Sequence, residues 1–281
     1  MLGTELGLLL DSRGMPYIGT DCEVDIADRK ELGSFAEKQP KPIDWIINCA
    51  AYTAVDNAED DEENCRLLNV DGAGNIAAIA AVTGARLIHI STDYVFNGRG
   101  NRPYAEDDPT GPIGVYGLSK RDGEMRVMEE NKRSYIFRAA WLYGKYGNNF
   151  VHTMLRLMKE REKISVVNDQ RGSPTWTHDL AQAMLTLMGK ADAGIPYGIY
   201  HFTNEGDISW YDFAREIQAQ GRALGILTRD CEVAPCTSAE FPAKVQRPAY
   251  SVLDKTKIKQ ALGIPIPAWD ESLGKFLSCA N

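Results

Sequence analysis

Histidine and cysteine are scarce in this chain of 281 residues, at four and six respectively, and no two cysteines form a CxxC pair. No His/Cys spacing suits zinc, which excludes the metal frameworks a sequence most readily betrays. The six thiols stand at positions 22, 49, 65, 231, 236 and 279. Cys49 lies in the apolar run Trp45-Ile46-Ile47-Asn48-Cys49 and reads as a reduced, buried thiol. A reducing, cytoplasmic compartment follows as the default. Long apolar stretches are also missing, and nothing approaches a membrane span. Met1 to Pro16 carries Glu5 and no positive charge before Arg13, a poor secretion signal. Basic residues are in deficit: 31 Lys and Arg against 39 Asp and Glu leave a net charge of −8. That balance argues against nucleic acid or an anionic membrane as a partner. An anionic ligand needs local Lys or Arg, or a helix N-terminus, set against the global field.

What is present is ordinary in amount and regular in order. Hydrophobic residues make up 44% and charged residues 25%, enough for a sizeable core. The length suits one large α/β domain or a main domain with a smaller lobe. Pro16–Asp21 and Glu23–Ile26 read as short strands, and Asp28–Glu37 as a helix with Asp28 as N-cap. Trp45–Ala50 is continuously apolar, as expected of a strand buried on both faces. Glu62–Val82 reads as one long helix stopped by Gly84, with Ala73, Ala77, Ala78, Ala80 and Ala81 small enough to lie close on a sheet. Arg86–Ile90, Ser134–Ala139 and Ile164–Val167 read as strands, Tyr116–Glu130 and Asn149–Arg161 as helices. The alternation implies right-handed crossovers and a parallel, doubly wound α/β sheet. Sites in such sheets lie beyond the strand C-terminal ends. Past about residue 168 prolines and loops cluster at Gly172-Ser-Pro-Thr, Cys231–Pro242 and Arg247-Pro248, between helices near 178–190, 209–221 and 268–278. A smaller, mixed C-terminal lobe over 169–281 is expected, with some segments returning to the main domain of 1–168.

One constellation carries chemistry. Tyr116-Gly-Leu-Ser-Lys120 puts a phenol and an ammonium one helical turn apart on a shared face. Upstream, Ser91-Thr92 sets hydroxyls at the end of the apolar run Arg86–Ile90. A tyrosine titrates at about pH 10, and a fixed positive charge nearby favours its ionised form. A phenol tuned this way exchanges a proton with an oxygen at neutral pH, and a threonine hydroxyl can hold that oxygen. The set suits carbonyl–alcohol interconversion but brings no hydride source. The bland alternative is an amphipathic pair on a solvated helix, which the Ser-Thr-Asp turn upstream disfavours.

Several motifs together resemble the extended short-chain dehydrogenase/reductase family. They are Asn48-Cys-Ala-Ala-Tyr-Thr-Ala-Val-Asp56, Ser91-Thr-Asp-Tyr-Val-Phe96, Tyr116-x-x-x-Lys120 and Trp141-Leu-Tyr-Gly144. Gly147-Asn-Asn-Phe150, Asp169-Gln170-x-Gly172-x-Pro174-Thr175 and Arg247-Pro248 follow in the family's order. The resemblance implies a Rossmann-like dinucleotide-binding domain over 1–168 and a substrate lobe over 169–281. It also implies reduction, by NADPH or NADH, of the 4-keto group of a dTDP-linked dehydro-sugar to dTDP-L-rhamnose. Tyr116 would then give the proton to the C4 oxygen, Lys120 would tune Tyr116 and hold the nicotinamide ribose, and Thr92 would hydrogen-bond the sugar oxygen. Asp93, Tyr94 and Trp141 match positions that line the sugar pocket, and Asn149 and Arg247 match contacts to the nucleotide diphosphate. Gly3, Ala50, Ala51, Tyr52, Thr53 and Ser91 would pass along the cofactor, with Asp25 and Ile26 facing its adenine. A nucleotide sugar is the implied partner, and the protein a monomer or weak homodimer.

Second readings stay open at several of these positions. Trp141 could be core, Arg247 a salt-bridging arginine, and Asp93 a turn cap. Asp21 either accepts from the adenosine ribose, which favours NADH, or is a turn acid. His89 and His201 read as core, and Glu59-Asp-Asp-Glu-Glu63 as charge favourable to a helix start.

Two departures from the family pattern bear on function. The family opens with a strand and a Gly-x-x-Gly-x-x-Gly loop, of which Met1–Gly7 matches only the last glycine and the helix after it. The expectation is that Met1 lies inside the natural reading frame or that the numbered chain omits an N-terminal stretch, with weak cofactor binding and low stability as consequences. Some members bind Mg²⁺ through a glutamate cluster at a dimer interface. Glu5 matches one such position, but His178 occupies the next and Leu277–Asn281 offers no carboxylate side chain, so no metal is expected. Two competing functions are a non-catalytic regulatory or scaffold member of the same fold, like the β subunit of methionine adenosyltransferase, and a reductase of another nucleotide-linked keto sugar.

Overall fold

Three of the expected apolar strands, and one that Pro196 and Gly198 disguise, align side by side in the computed structural model, which describes residues 1–241 and 243–279. The chain begins with helices α1 (Leu2–Ser12) and α2 (Arg29–Glu37), then strand β1 (Trp45–Asn48). Helix α3 (Glu62–Arg66) passes through a π turn, Leu67–Gly72, into α4 (Ala73–Thr83), followed by strand β2 (Arg86–Thr92) and helix α5 (Val115–Glu130). Strands β3 (Ser134–Ala139) and β4 (Leu142–Tyr143), helix α6 (Phe150–Glu160) and strand β5 (Lys163–Val167) come next. The two-residue strands β6 (Arg171–Gly172) and β7 (Thr175–Trp176) precede helix α7 (Thr177–Lys190) and strand β8 (Gly198–His201). Strand β9 (Ile208–Ser209), helix α8 (Trp210–Ala223), strand β10 (Glu232–Cys236) and helices α9 (Thr256–Leu262) and α10 (Trp269–Cys279) complete the order.

The main sheet runs β1-β2-β3-β8, parallel throughout, with Ile47 opposite Ile88, Ile88 opposite Tyr135 and Ile136 opposite Ile199. Successive side chains of a strand leave on opposite faces, and the cores divide accordingly. Ile88, Tyr135 and Phe137 pack with Leu2, Leu6 and Leu10 of α1 and with α7 and α9. Leu87 and Ile136 pack with Ala73, Ile76, Ala77 and Ala80 of α4 and Val127 of α5. A second core joins α6, α8 and α10 to the parallel pair β5–β10 around Tyr143, Met158, Phe213 and Phe276.

The cores interleave along the sequence, with segments after residue 168 returning to the first core and two before it packing in the second. Helix α6 and β5 precede that point yet belong to the second core, while α7, β8 and α9 follow it and belong to the first. Strands expected over Pro16–Asp21 and Glu23–Ile26 are not formed; the first segment has no regular structure, with Tyr17 and Ile18 exposed at 45% and 60%, and the second lies in turns. An extended segment becomes a strand only when a neighbour takes its backbone groups, and among the described residues none does. Trp45–Asn48 is likewise an edge strand with one partner, so Trp45, Ile46 and Ile47 are half-buried where burial on both faces was expected. Strand β10 was expected as loop because of Pro235. That proline is tolerated because β10 pairs on one side only, which leaves no ladder donor missing. Pro242 and Ala280–Asn281, within the proline-rich and carboxylate-poor stretches noted above, lie outside the described residues.

Candidate active site

Strand β2 ends in the hydroxyl turn at the C-terminal edge of the sheet. Thr92 Oγ1 accepts from the Tyr94 N–H at 3.2 Å and donates to Asp93 Oδ1 at 3.0 Å, capping the short turn Asp93–Val95. Helix α5 starts beside it, with the Val115 N–H held at 2.8 Å by Glu59 Oε1. Gly117 then lets α5 press against that turn, since a Cβ there would stand 2.3 Å from the Tyr94 carbonyl oxygen. The approach brings Tyr116 edge-on to Tyr94, with ring centroids 5.6 Å apart and planes at 74°. One turn on, Lys120 is buried and its Nζ donates to the Ile90 carbonyl at 2.7 Å.

Burial dominates the electrostatics here. It pushes the Tyr116 phenol above its ordinary value, against the Thr92 hydroxyl that pulls it down, while Asp93 and Tyr94 push it further up. The net shift is upward, opposite in sign to the lowering expected from Lys120. Taking an ion out of water costs more than one neighbouring charge returns. The outcome keeps the phenol protonated, which is the form a proton donor needs. Burial also lowers Lys120 to about 8, with Glu124 opposing. Asp93 is 2% exposed and burial raises it to about 6, with Oδ2 buried and unpartnered.

Polar residues that the sequence reading missed tie this group together. Asn69 accepts from the Tyr52 N–H at 2.9 Å and donates to the Tyr52 carbonyl at 3.0 Å and to Ser119 Oγ at 3.0 Å. Ser119 in turn donates to the Tyr116 carbonyl at 2.8 Å. The loop carrying Ala50, Ala51, Tyr52 and Thr53 is thus laced to the helix carrying Tyr116 and Lys120. Asn69 sits on the π turn, a distortion common at functional sites. Its one visible signal was a polar residue inside the apolar run Leu67-Leu68-Asn69-Val70. Beneath Lys120, Glu124 and Arg138 form a buried bidentate pair at 2.8 and 2.7 Å.

The remaining candidates fall into three places. Gly3 lies in the first turn of α1 against Cys49, and the start of α1 has no side-chain cap, leaving backbone N–H groups open to an anion. Ala50 is held by Asn48, whose Oδ1 accepts from the Ala50 N–H at 3.0 Å, and Ser91 Oγ is buried without a partner among the described residues. Asp25 caps its own turn through the Ala27 N–H, Ile26 packs on Gly72, and Asn75 holds the Ile26 and Ala27 carbonyls. Asp21 is exposed on the turn before them. Small residues, an uncapped helix start and an orphaned serine hydroxyl suit a dinucleotide, so these positions fit the cofactor the sequence implied. Trp141 and Asn149 belong with the second core. Trp141 is held at φ 49°, the left-handed region that non-glycine residues avoid, and stacks on Trp210 at 3.5 Å and 11°. Asn149 caps α6 through the His152 N–H at 3.1 Å and donates to the Gly144 carbonyl at 2.8 Å. Arg247 pairs with Asp56 at 2.6 Å. Glu5 and His178, the two positions compared with a metal cluster, hydrogen-bond each other at 2.9 Å.

The family model described as the RmlD substrate binding domain matches residues 1–281. A dTDP-4-dehydrorhamnose reductase of Streptomyces griseus is 44% identical over 97% of this chain and 88% of its own length. A dTDP-4-keto-6-deoxy-D-glucose reductase of Streptomyces niveus is 38% identical over 100% and 94%. The crystal structure of a Bacillus anthracis dTDP-4-dehydrorhamnose reductase in complex with NADP superposes with a TM-score of 0.91, at 38% identity and with 99% and 95% covered. A site with a phenol, a threonine hydroxyl and a buried lysine at a sheet edge, within a match that spans every residue, places this chain in the RmlD substrate binding domain family.

Proposed function

We propose that the chain reduces the 4-keto group of dTDP-4-dehydro-L-rhamnose, with Tyr116 as proton donor. The observation that carries the reading is the half-buried Tyr116 packed edge-on to Tyr94 on the turn that Thr92 caps, at the C-terminal edge of β2, where desolvation raises the phenol and keeps it protonated. When bound, a nicotinamide cofactor supplies the hydride. Thr92 orients the sugar oxygen, and Tyr116 delivers its proton to that oxygen as negative charge develops there. Lys120, fixed to the Ile90 carbonyl, stabilises the phenolate left behind. Asp93, Tyr94 and Trp141 line the sugar pocket in this reading, and Asn149 and Arg247 lie toward the diphosphate. Gly3, Asp25, Ile26, Ala50, Ala51, Tyr52, Thr53 and Ser91 border the cofactor, and Asp21 is placed to favour NADH if it reaches the ribose. Among the described residues no helix is long and apolar enough to cross a membrane, and the reading places the chain in the cytoplasm as a monomer or weak homodimer.

The Streptomyces niveus relative motivates a second substrate, the dTDP-4-keto-6-deoxy-D-glucose of its name, which differs from the first at both C3 and C5. The test follows NADPH and NADH oxidation with both dTDP-linked keto sugars and with UDP- and GDP-linked analogues. Turnover of the L-rhamnose precursor by the parent, with a loss of about 10²–10⁴-fold in Tyr116→Phe and unchanged NADPH binding, supports the assignment. Cofactor binding without turnover of any sugar would move the chain to the non-catalytic class.

A further inference from the structure

Asp56 touches nothing in the proton-transfer group, yet it organises the approach to it. Its Oδ2 accepts from Arg247 Nη2 at 2.6 Å and its Oδ1 from the Val245 N–H at 3.3 Å. One carboxylate therefore fixes both the arginine and the backbone two residues before it. A second ion pair, Lys244 with Asp60, fastens the same segment to the same loop. Val245 stands against Gly114 at the start of α5, 2.8 Å from where a Cβ would be, which sets the Asp56–Arg247 pair beside the helix end that carries Tyr116; both charges also act on Tyr94, whose ring meets Tyr116. The second guanidinium nitrogen, Nη1, is buried and has no partner among the described residues. A buried donor without an acceptor is costly, and a guanidinium gripped at one nitrogen with the other free is set to take an oxyanion.

We propose that Asp56 is a positioning residue for the nucleotide diphosphate: it holds Arg247 by Nη2 so that Nη1 is presented to a phosphate oxygen at the mouth of the sugar pocket. The inference rests on the nucleotide-sugar reading above and assigns a residue and a nitrogen to its diphosphate. Neutralising Asp56 leaves Arg247 present but no longer aimed. Its effect therefore falls on ligands that bring a diphosphate to the mouth of the sugar pocket, not on the dinucleotide cofactor, and vanishes once Arg247 itself is removed.

The experiment is a double-mutant cycle of Asp56→Asn and Arg247→Met, read by calorimetric binding of dTDP and of NADPH and by KM and kcat for the keto sugar. Asp56→Asn is expected to weaken dTDP by about tenfold or more, the scale of a charge-assisted hydrogen bond. It should raise KM with kcat at saturation retained and leave NADPH affinity unchanged. In the Arg247→Met background the same change should cost less than about twofold. Asp56→Glu should recover part of the loss. Wild-type dTDP affinity in Asp56→Asn, or equal losses with and without Arg247, or parallel losses of dTDP and NADPH, would overturn the assignment while leaving the reductase reading intact. Failure of the parent chain to bind dTDP would overturn both.

Discussion

At the residue scale, the site is built from groups whose ordinary titration burial has displaced. Asp93 illustrates the sign. Its folded pKa of about 6 lies above the ordinary carboxylate value of 3.8, so the folded state binds this proton more tightly than the unfolded one. Its ionisation therefore costs nothing below about pH 4 and costs progressively more as pH rises through 6, up to about 3 kcal/mol. Asp93→Asn should raise the free energy of unfolding, measured by denaturant titration, at pH 7–8 by up to that amount relative to the parent, and the gain should vanish below about pH 4. Lys120 gives the complementary case. With its pKa lowered to about 8, it holds its charge below that pH and loses it above. The rate profile of kcat/KM, which reports the free protein, should therefore show an alkaline limb near that value. A profile flat to pH 10 would remove Lys120 from the phenolate-stabilising role.

At the element scale, the decisive feature is how closely α5 lies on its neighbours. Gly117 meets the Tyr94 carbonyl, and at Gly123 a Cβ would fall 2.1 Å from the Asn69 carbonyl oxygen. Gly117→Ala should force α5 off the Thr92 turn, costing about 1–3 kcal/mol of stability. The kcat loss should exceed the change in NADPH affinity, measured by denaturation and by fluorescence titration. Much at this scale was legible. Helix α2 begins where Asp28 announced it, with its carboxylate accepting from Lys30 and Glu31. Trp45–Asn48, Ser134–Ala139 and the helix of Tyr116 were readable from apolar runs and spacing. Strands β8 and β10 were not, because proline and glycine beside short runs carry the same local signal in a loop as at a sheet edge. Pro16–Ile26 erred the other way, since strand propensity is a statement about fitting a partner and not about the segment alone. Within the site, Tyr116, Lys120 and Thr92 declared themselves by spacing. Asn69 and Asp56 did not, because each works across long sequence separation on another residue's backbone or guanidinium.

At the scale of the whole molecule, two cores share one chain without a clean cut. The chain crosses between them repeatedly, with β3 in the sheet, α6 and β5 in the second core, α7 and β8 back in the first, and α8 out again. Unfolding of either core pulls on connections into the other, so the two are expected to unfold together. Far-ultraviolet circular dichroism, which reads helices of both cores, and tryptophan fluorescence, dominated by Trp141, Trp176, Trp210 and Trp269 of the second, should therefore give coincident denaturation curves. Separated midpoints would show two independent units. The tryptophan pair offers more than a stability probe. Two indoles face to face at 3.5 Å share their electronic transitions, so their dichroism should contain a paired positive and negative band that neither ring yields alone. Because Trp141 owes that posture to a left-handed backbone, the couplet is an optical gauge of one turn beside the pocket, readable without any label while a sugar nucleotide is titrated in.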